Sequence, residues 1–256
     1  MNIKQLIVIA GILLPFITLG QDPKEITKKA YDITDIDAME IVSTIKIYDA
    51  KGNERTRQTA TATKRFGETN KVITQFTAPA DVKGTGILIY DYDNRDDDMW
   101  IYLPALRKTR RIVSSEKGKS YMGSEFSNAD MSTPNLEDFK YKVLGSEKYN
   151  GIDCWQIEAV PVSEEVADDN GYSKRISLID KKTDFMYKTI FYNFDGDKFK
   201  ELTVGPYEPF GNGKYIIRKM EAVNLENGRR SEMTIDKIQK GSSLTESSFS
   251  PSALEK

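Results

Sequence analysis

GTGILIYDYDNRDDDMWIYLP, residues 84–104, decides the fold. Gly84 to Tyr92 and Met99 to Leu103 are short runs of β-branched, aromatic and other apolar residues. Asp93 to Asp98 forms a charged turn between them, and Pro104 closes the second run. Runs of this length bounded by turn formers read as two strands of a hairpin. Both runs are apolar at odd and even positions alike, so both faces of this part of the sheet need a cover.

Working outward, the same period continues. Upstream, Met39, Ile41, Ile45 and Ile47 alternate with more polar neighbours, and Ala50-Lys51-Gly52-Asn53 supplies a turn. Strands follow at Glu54 to Phe66 and Lys71 to Thr77, the latter stopped by Ala78-Pro79. Downstream comes a strand at Lys108 to Val113. Ser114 to Glu137, with Gly118, Gly123, Pro134 and many serines, reads as a long loop with one helical turn. Long loops inside compact domains are uncommon and often functional. Strands resume at Tyr141 to Glu147, Asp153 to Val162, Lys174 to Asp180, Phe185 to Asn193, Lys198 to Val204, Tyr215 to Leu225 and Arg230 to Ile238. Asn150-Gly151, Asp169-Asn170-Gly171, Asp195-Gly196 and Asn227-Gly228 are among the turns between them.

Turns at this spacing imply an antiparallel meander. About a dozen strands in one curled sheet give a mainly β fold, an unclosed half-barrel. Asp22-Pro23-Lys24-Glu25 is a helix start, with Asp22 as cap and proline at the first position. The helix, running to about Ile33, and the long central loop are the expected lids. Residues 21–256 read as one domain.

Residues 1–20 stand apart. Lys4 gives a positive start, Gln5 to Leu19 is apolar, and Thr18-Leu19-Gly20 places small residues before Gln21, the layout of a cleaved secretory signal. The run is short for a membrane span and contains Pro15. The expected location is therefore the periplasm. The only cysteine is Cys154, so no disulfide joins two parts of this chain and no lipoprotein cysteine stands at the junction. A net charge of −2 gives no nucleic-acid-binding excess. Histidine is absent, which removes histidine-dependent triads and histidine zinc sites.

Four residue groups bear on function. Asp91, Asp93, Asp96, Asp97 and Asp98 read as a solvated hairpin turn rather than a calcium loop, because the glycine and distal glutamate of a calcium hand are missing. Arg107, Lys108, Arg110 and Arg111 follow the aromatic strand. They read equally as a head-group or partner contact and as an edge strand charged against aggregation. Ile41, Ile45, Phe76, Leu88, Tyr90, Trp100 and Tyr102 are the expected inward lining of an apolar cavity, subject to a one-residue register shift that would flip them all. Glu125 and Asp130 are the carboxylates that an enzymatic reading would use.

Several blocks resemble a known family. Phe76-Thr77-Ala78-Pro79, Lys83-Gly84-Thr85-Gly86, Met99 to Pro104 and Arg110-Arg111-Ile112 look like the signature of outer-membrane lipoprotein-sorting proteins. Ser120 to Phe126, Asn128 to Met131 and Phe249-Ser250-Pro251 are similar to a LolA-like branch of them. The resemblance implies an unclosed β-barrel with an apolar cavity that carries acylated lipoproteins or other lipids. It also implies an inner-membrane RND- or ABC-type transporter as donor, an outer-membrane acceptor, no cofactor and no catalysis. Two other readings stay open: a structural envelope module with a solid core, and a carboxylate-dependent hydrolase.

Overall fold

The computed structural model describes residues 22–92 and 95–255. The expected signal segment, its junction at Gly20–Gln21, and Asp93 lie outside the described residues. Helix α1 (Pro23–Asp32) starts where the sequence places it. The Asp22 carboxylate accepts from the Lys24 amide at 2.9 Å, a cap worth about 1 kcal/mol.

The chain then forms β1 (Ala38–Tyr48), β2 (Glu54–Phe66), β3 (Thr69–Ala78), β4 (Gly86–Tyr92), β5 (Asp98–Leu103) and β6 (Lys108–Ile112) as one meander. After a central segment come β7 (Phe139–Tyr149), β8 (Ile152–Pro161), helix α2 (Glu164–Asn170), β9 (Lys174–Asp180), β10 (Met186–Tyr192) and β11 (Lys198–Val204). They are followed by β12 (Tyr207–Gly211), β13 (Lys214–Ile217), β14 (Lys219–Asn224) and β15 (Arg230–Lys240). Thirteen strands make one antiparallel sheet in the order β6-β5-β4-β3-β2-β1-β15-β14-β11-β10-β9-β8-β7; β12 and β13 form a separate hairpin.

This order explains the lid. The first and last strands pair at the middle of the sheet, with Ile45 opposite Met233. The two free edges are therefore β6 and β7, which are consecutive in the chain. The segment between them, residues 113–138, must cross from one edge of the unclosed sheet to the other. Both edges carry exposed charge, Lys108, Arg110 and Arg111 on one and Lys140, Lys142 and Lys148 on the other, as edges exposed to strand pairing require.

Two apolar clusters lie on opposite faces of the first meander. On the concave face, Ile45, Ile47, Phe76, Ile87, Ile89, Met99, Ile101 and Ile112 pack with Tyr121 and Phe126 of the central segment. On the convex face, Ala62, Leu88, Ile73, Tyr90, Trp100 and Tyr102 pack with Phe249 and Leu254 of the C-terminal segment. The double-sided apolar pattern of β4 and β5 thus has its two covers, one of which is the chain's own C-terminal segment.

Other departures are local. Helix α2 replaces an expected turn: Ser163 caps it by accepting from the Val166 amide, and Gly171 ends it at a φ of 75°. The single strand expected at Tyr215 to Leu225 divides at Arg218 into β13 and β14, because β13 leaves the sheet to pair with β12. The central segment contains three short 3-10 turns rather than one helical turn.

Candidate functional site: a lidded cavity inside the half-barrel

Register fixes which side chains look inward. Residues opposite one another in an antiparallel sheet share a face, so Ile157 and Ile179, which pack against Ile26 and Ala30 of α1, mark the concave face of β8 and β9. Helix α1 covers that half, and the central segment covers the other. Between the two covers and the sheet lies a cavity of about 280 Å3, lined by Ile36, Met39, Val72, Met131, Leu202 and Met220 among others. A second cavity, also about 280 Å3, opens between β5, β6, the central segment and α2. It is more polar, with Arg95, Arg111, Lys117, Ser114 and Ser127 on its walls. Asp130 to Pro134 except Met131, together with Arg175 and Phe191, line both.

Every methionine of the described chain lies on this inner side. Met99, Met122 and Met233 belong to the concave cluster, and Met39, Met131, Met186 and Met220 line the inner cavity. Unbranched, polarizable methionine adapts its shape to irregular contents. The lining therefore suits a flexible apolar guest better than a rigid one.

Polar ties hold the central segment down. Asp130 and Lys200 on β11 form an ion pair at 2.8 Å with side chains 6% and 10% exposed. Asp130 also accepts from the Ser127 amide at 2.7 Å. Glu125 pairs with Arg229 at 2.8 Å, and its amide donates to the Ser231 hydroxyl at 2.9 Å. The Gly118 amide donates to the Asp169 carbonyl of α2 at 2.8 Å. No side chain larger than hydrogen fits at Gly118, because a Cβ would stand 2.6 Å from the Asn170 carbonyl oxygen.

Asp91 and Asp97 meet the segment at Ser132 and Thr133. The Thr133 amide donates to Asp91 at 3.4 Å. Burial, reinforced by the neighbouring Asp97 charge, pushes the Asp91 carboxyl up to about 7. Burial likewise lifts Asp97 to about 6. Of the other acidic-turn residues described, Asp96 pairs with Lys117 at 3.3 Å and Asp98 with Arg95 and Arg111. The turn is thus partly a contact of the central segment rather than wholly solvated. Its buried members were not distinguishable by composition.

Ile45 and Phe76 are in the concave cluster, almost fully buried. Ile41 sits in register between Thr61 of β2 and Ile238 of β15, half-buried. Leu88, Tyr90, Trp100 and Tyr102 are in the convex cluster, where the Tyr90 hydroxyl donates to the Phe249 carbonyl at 2.6 Å. The set therefore divides between the two faces. The alternation could not show this, since β4 and β5 are apolar on both. Arg107 and Lys108 are exposed at the β6 turn, Arg110 pairs with Glu116 at 2.7 Å, and Arg111 lines the polar cavity and pairs with Asp98. Glu125 and Asp130 do not meet as a pair of carboxylates; each holds a cation.

The inner side also holds Arg175, which no motif or spacing singles out. It is 8% exposed, and its guanidinium lies over the Phe139 ring at 4.7 Å.

The fold and site define a class: an unclosed antiparallel half-barrel whose concave face is covered by a helix and by the strap joining its two edges. A family model described as an uncharacterized protein matches residues 68–256, and the chain belongs to that family. Its structural neighbours are outer-membrane lipoprotein-sorting and LolA-like proteins. A putative outer membrane lipoprotein-sorting protein domain from Vibrio parahaemolyticus is similar at 27% identity and a TM-score of 0.83, over 91% of this chain and 98% of that one. A DUF1329 family protein from Desulfovibrio piger is similar at 26% identity and 0.81, over 91% and 97%. A LolA superfamily protein from Nitrosomonas europaea shares the fold at 19% identity and 0.68, over 89% and 97%. No curated protein matches the chain.

Proposed function

We propose that this protein is a non-enzymatic periplasmic carrier that takes acyl chains of a lipid or lipoprotein into the inner cavity. It receives them from an inner-membrane RND- or ABC-type transporter and passes them toward an outer-membrane acceptor. The observation that carries this reading is the methionine-rich cavity that lies beneath a separately tied strap. The 27% identical Vibrio neighbour, described as a lipoprotein-sorting domain, supports it.

The energetics are adequate. Each methylene leaving water contributes about 0.8 kcal/mol, so several methylenes outweigh the loss of the strap's weakest ties. At about 280 Å3 the closed cavity lies below the roughly 300–1,000 Å3 of pockets for drug-sized ligands. A segment of one chain fits; a longer or branched cargo needs the strap to lift. The residues expected to hold the chain are Met39, Val72, Leu202 and Met220, together with Ile45 and Phe76 where the strap lifts from the concave cluster.

Substituting Leu202→Trp tests this by filling the cavity from within. Uptake of a fluorescent fatty acyl probe should fall at least tenfold, while overpacking costs about 1–3 kcal/mol of stability. A folded L202W protein that takes up the probe as the parent does would place the binding site elsewhere.

A further inference from the structure

We infer that Arg175 is the docking point for an anionic head, a carboxylate or phosphate oxygen group, carried on the same apolar chain that the inner cavity holds. This assignment rests on the carrier reading above and adds the class of cargo.

Register places Ala159, Arg175, Phe191 and Lys200 in a row across β8, β9, β10 and β11, all on the concave face. The two cations in this row differ. Lys200 has its counter-charge in Asp130 at 2.8 Å. Arg175 forms no ion pair with any carboxylate of the described residues. Its Nη2 and the Tyr141 hydroxyl interact with each other, but both are buried and neither makes a well-formed hydrogen bond. Tyr31, Tyr141 and Tyr172 stand around the guanidinium, but burial pushes the Tyr172 phenol up to about 12 and Tyr141 higher still. The Tyr141 and Tyr172 phenols therefore stay neutral and supply no balancing charge.

Buried arginine without a counter-charge is costly, and proteins seldom retain one without a partner. A planar guanidinium is suited to two parallel hydrogen bonds with a carboxylate or phosphate, and a neutral phenol beside it donates a further one. Arg175 lines both cavities, so it stands where the apolar one meets the polar one. An amphiphile with its chain among Met39, Leu202 and Met220 would bring its head to Arg175, on the side of Arg111, Lys117 and Ser127.

The test uses the full-length mature chain and three probes: oleate, oleyl alcohol with the same chain and no charge, and inorganic phosphate with no chain. Wild type should bind oleate about ten- to a hundredfold more tightly than oleyl alcohol, as a charged hydrogen bond implies, and phosphate only weakly. Arg175→Gln should weaken oleate about ten- to a hundredfold, toward the level of the alcohol, and weaken the alcohol much less. The apo melting temperature should not fall, since an uncompensated buried charge has been removed. Equal wild-type affinity for oleate and oleyl alcohol would overturn the role of Arg175 and leave the carrier intact. Binding of neither would overturn the carrier reading itself, and phosphate binding as tightly as oleate would make this a free-anion site instead.

Discussion

The Asp130–Lys200 pair sets how readily the strap opens, and its removal has a calculable effect. Asp130→Asn keeps an oxygen that can accept from the Ser127 amide but leaves Lys200 without its counter-charge, 8% exposed and 4.2 Å over the Phe191 ring. Breaking one side of a buried pair costs about 3–5 kcal/mol; the contact with the Phe191 face retains some stabilisation, so the lower end, about 3 kcal/mol, applies. Lifting the strap restores Lys200 to water, so the cost falls on the closed state alone. At 1.4 kcal/mol per tenfold change, opening becomes about a hundredfold more frequent. Hydrogen exchange reads this directly at the amides of Gly118 and Glu125, which bond from the segment to the Asp169 carbonyl and the Ser231 hydroxyl. Their protection should fall about a hundredfold while that of β1 and β15 stays within a factor of a few. Adding Lys200→Met should restore most of it, because no buried charge then remains. Unchanged protection in Asp130→Asn, or a double variant no better than the single, would refute the latch.

Three further outcomes follow from the same contacts. Asp91 titrates near 7 and Asp97 near 6, both above the ordinary carboxylate value of 3.8. Their contribution to folding is therefore fully present below about pH 4 and lost as pH rises through 6 to 7. Melting temperature should decline across that window and the Asp91→Asn, Asp97→Asn double variant should flatten the decline; a parent profile already flat there would contradict the assignment. Gly118→Ala puts a methyl against the Asn170 carbonyl and should cost about 1–3 kcal/mol. Exchange should rise in α2 and residues 116–130 but not in the sheet, and uniform loosening would count against a local tie. Leu88→Ala, beneath Phe249 and Leu254, should cost about 2–5 kcal/mol. Acyl-probe affinity of its folded fraction should be unchanged, and a selective loss of binding would return Leu88 to the cavity.

The strands were legible in the sequence because period-two alternation and glycine turns report local geometry: β2 and β9 match their expected ranges residue for residue. Helix α1 was legible from Asp22 and Pro23 for the same reason. The facing of β4 and β5 was not, since Leu88 and Ile87 are equally apolar and only tertiary structure shows that Phe249 covers one and Tyr121 the other. Helix α2 was missed because Asp169-Asn170-Gly171 reads as a turn, although Ser163 three residues before Val166 was an available cap signal. Arg175 was missed because it follows Lys174 and looks like surface charge. Its guanidinium packs on the ring of Phe139, which starts β7, two strands away across the sheet. The inward placement of the methionines depends on register in the same way.

Native mass spectrometry with lipid extraction, on mature protein purified from an envelope-containing host, tests the central claim most directly. An acyl-bearing molecule at close to one per chain, displaced in the Leu202→Trp variant, is the expected result. A clean apo mass together with no uptake of a fluorescent acyl probe by the wild type would contradict it, leaving an envelope module whose interior is simply core.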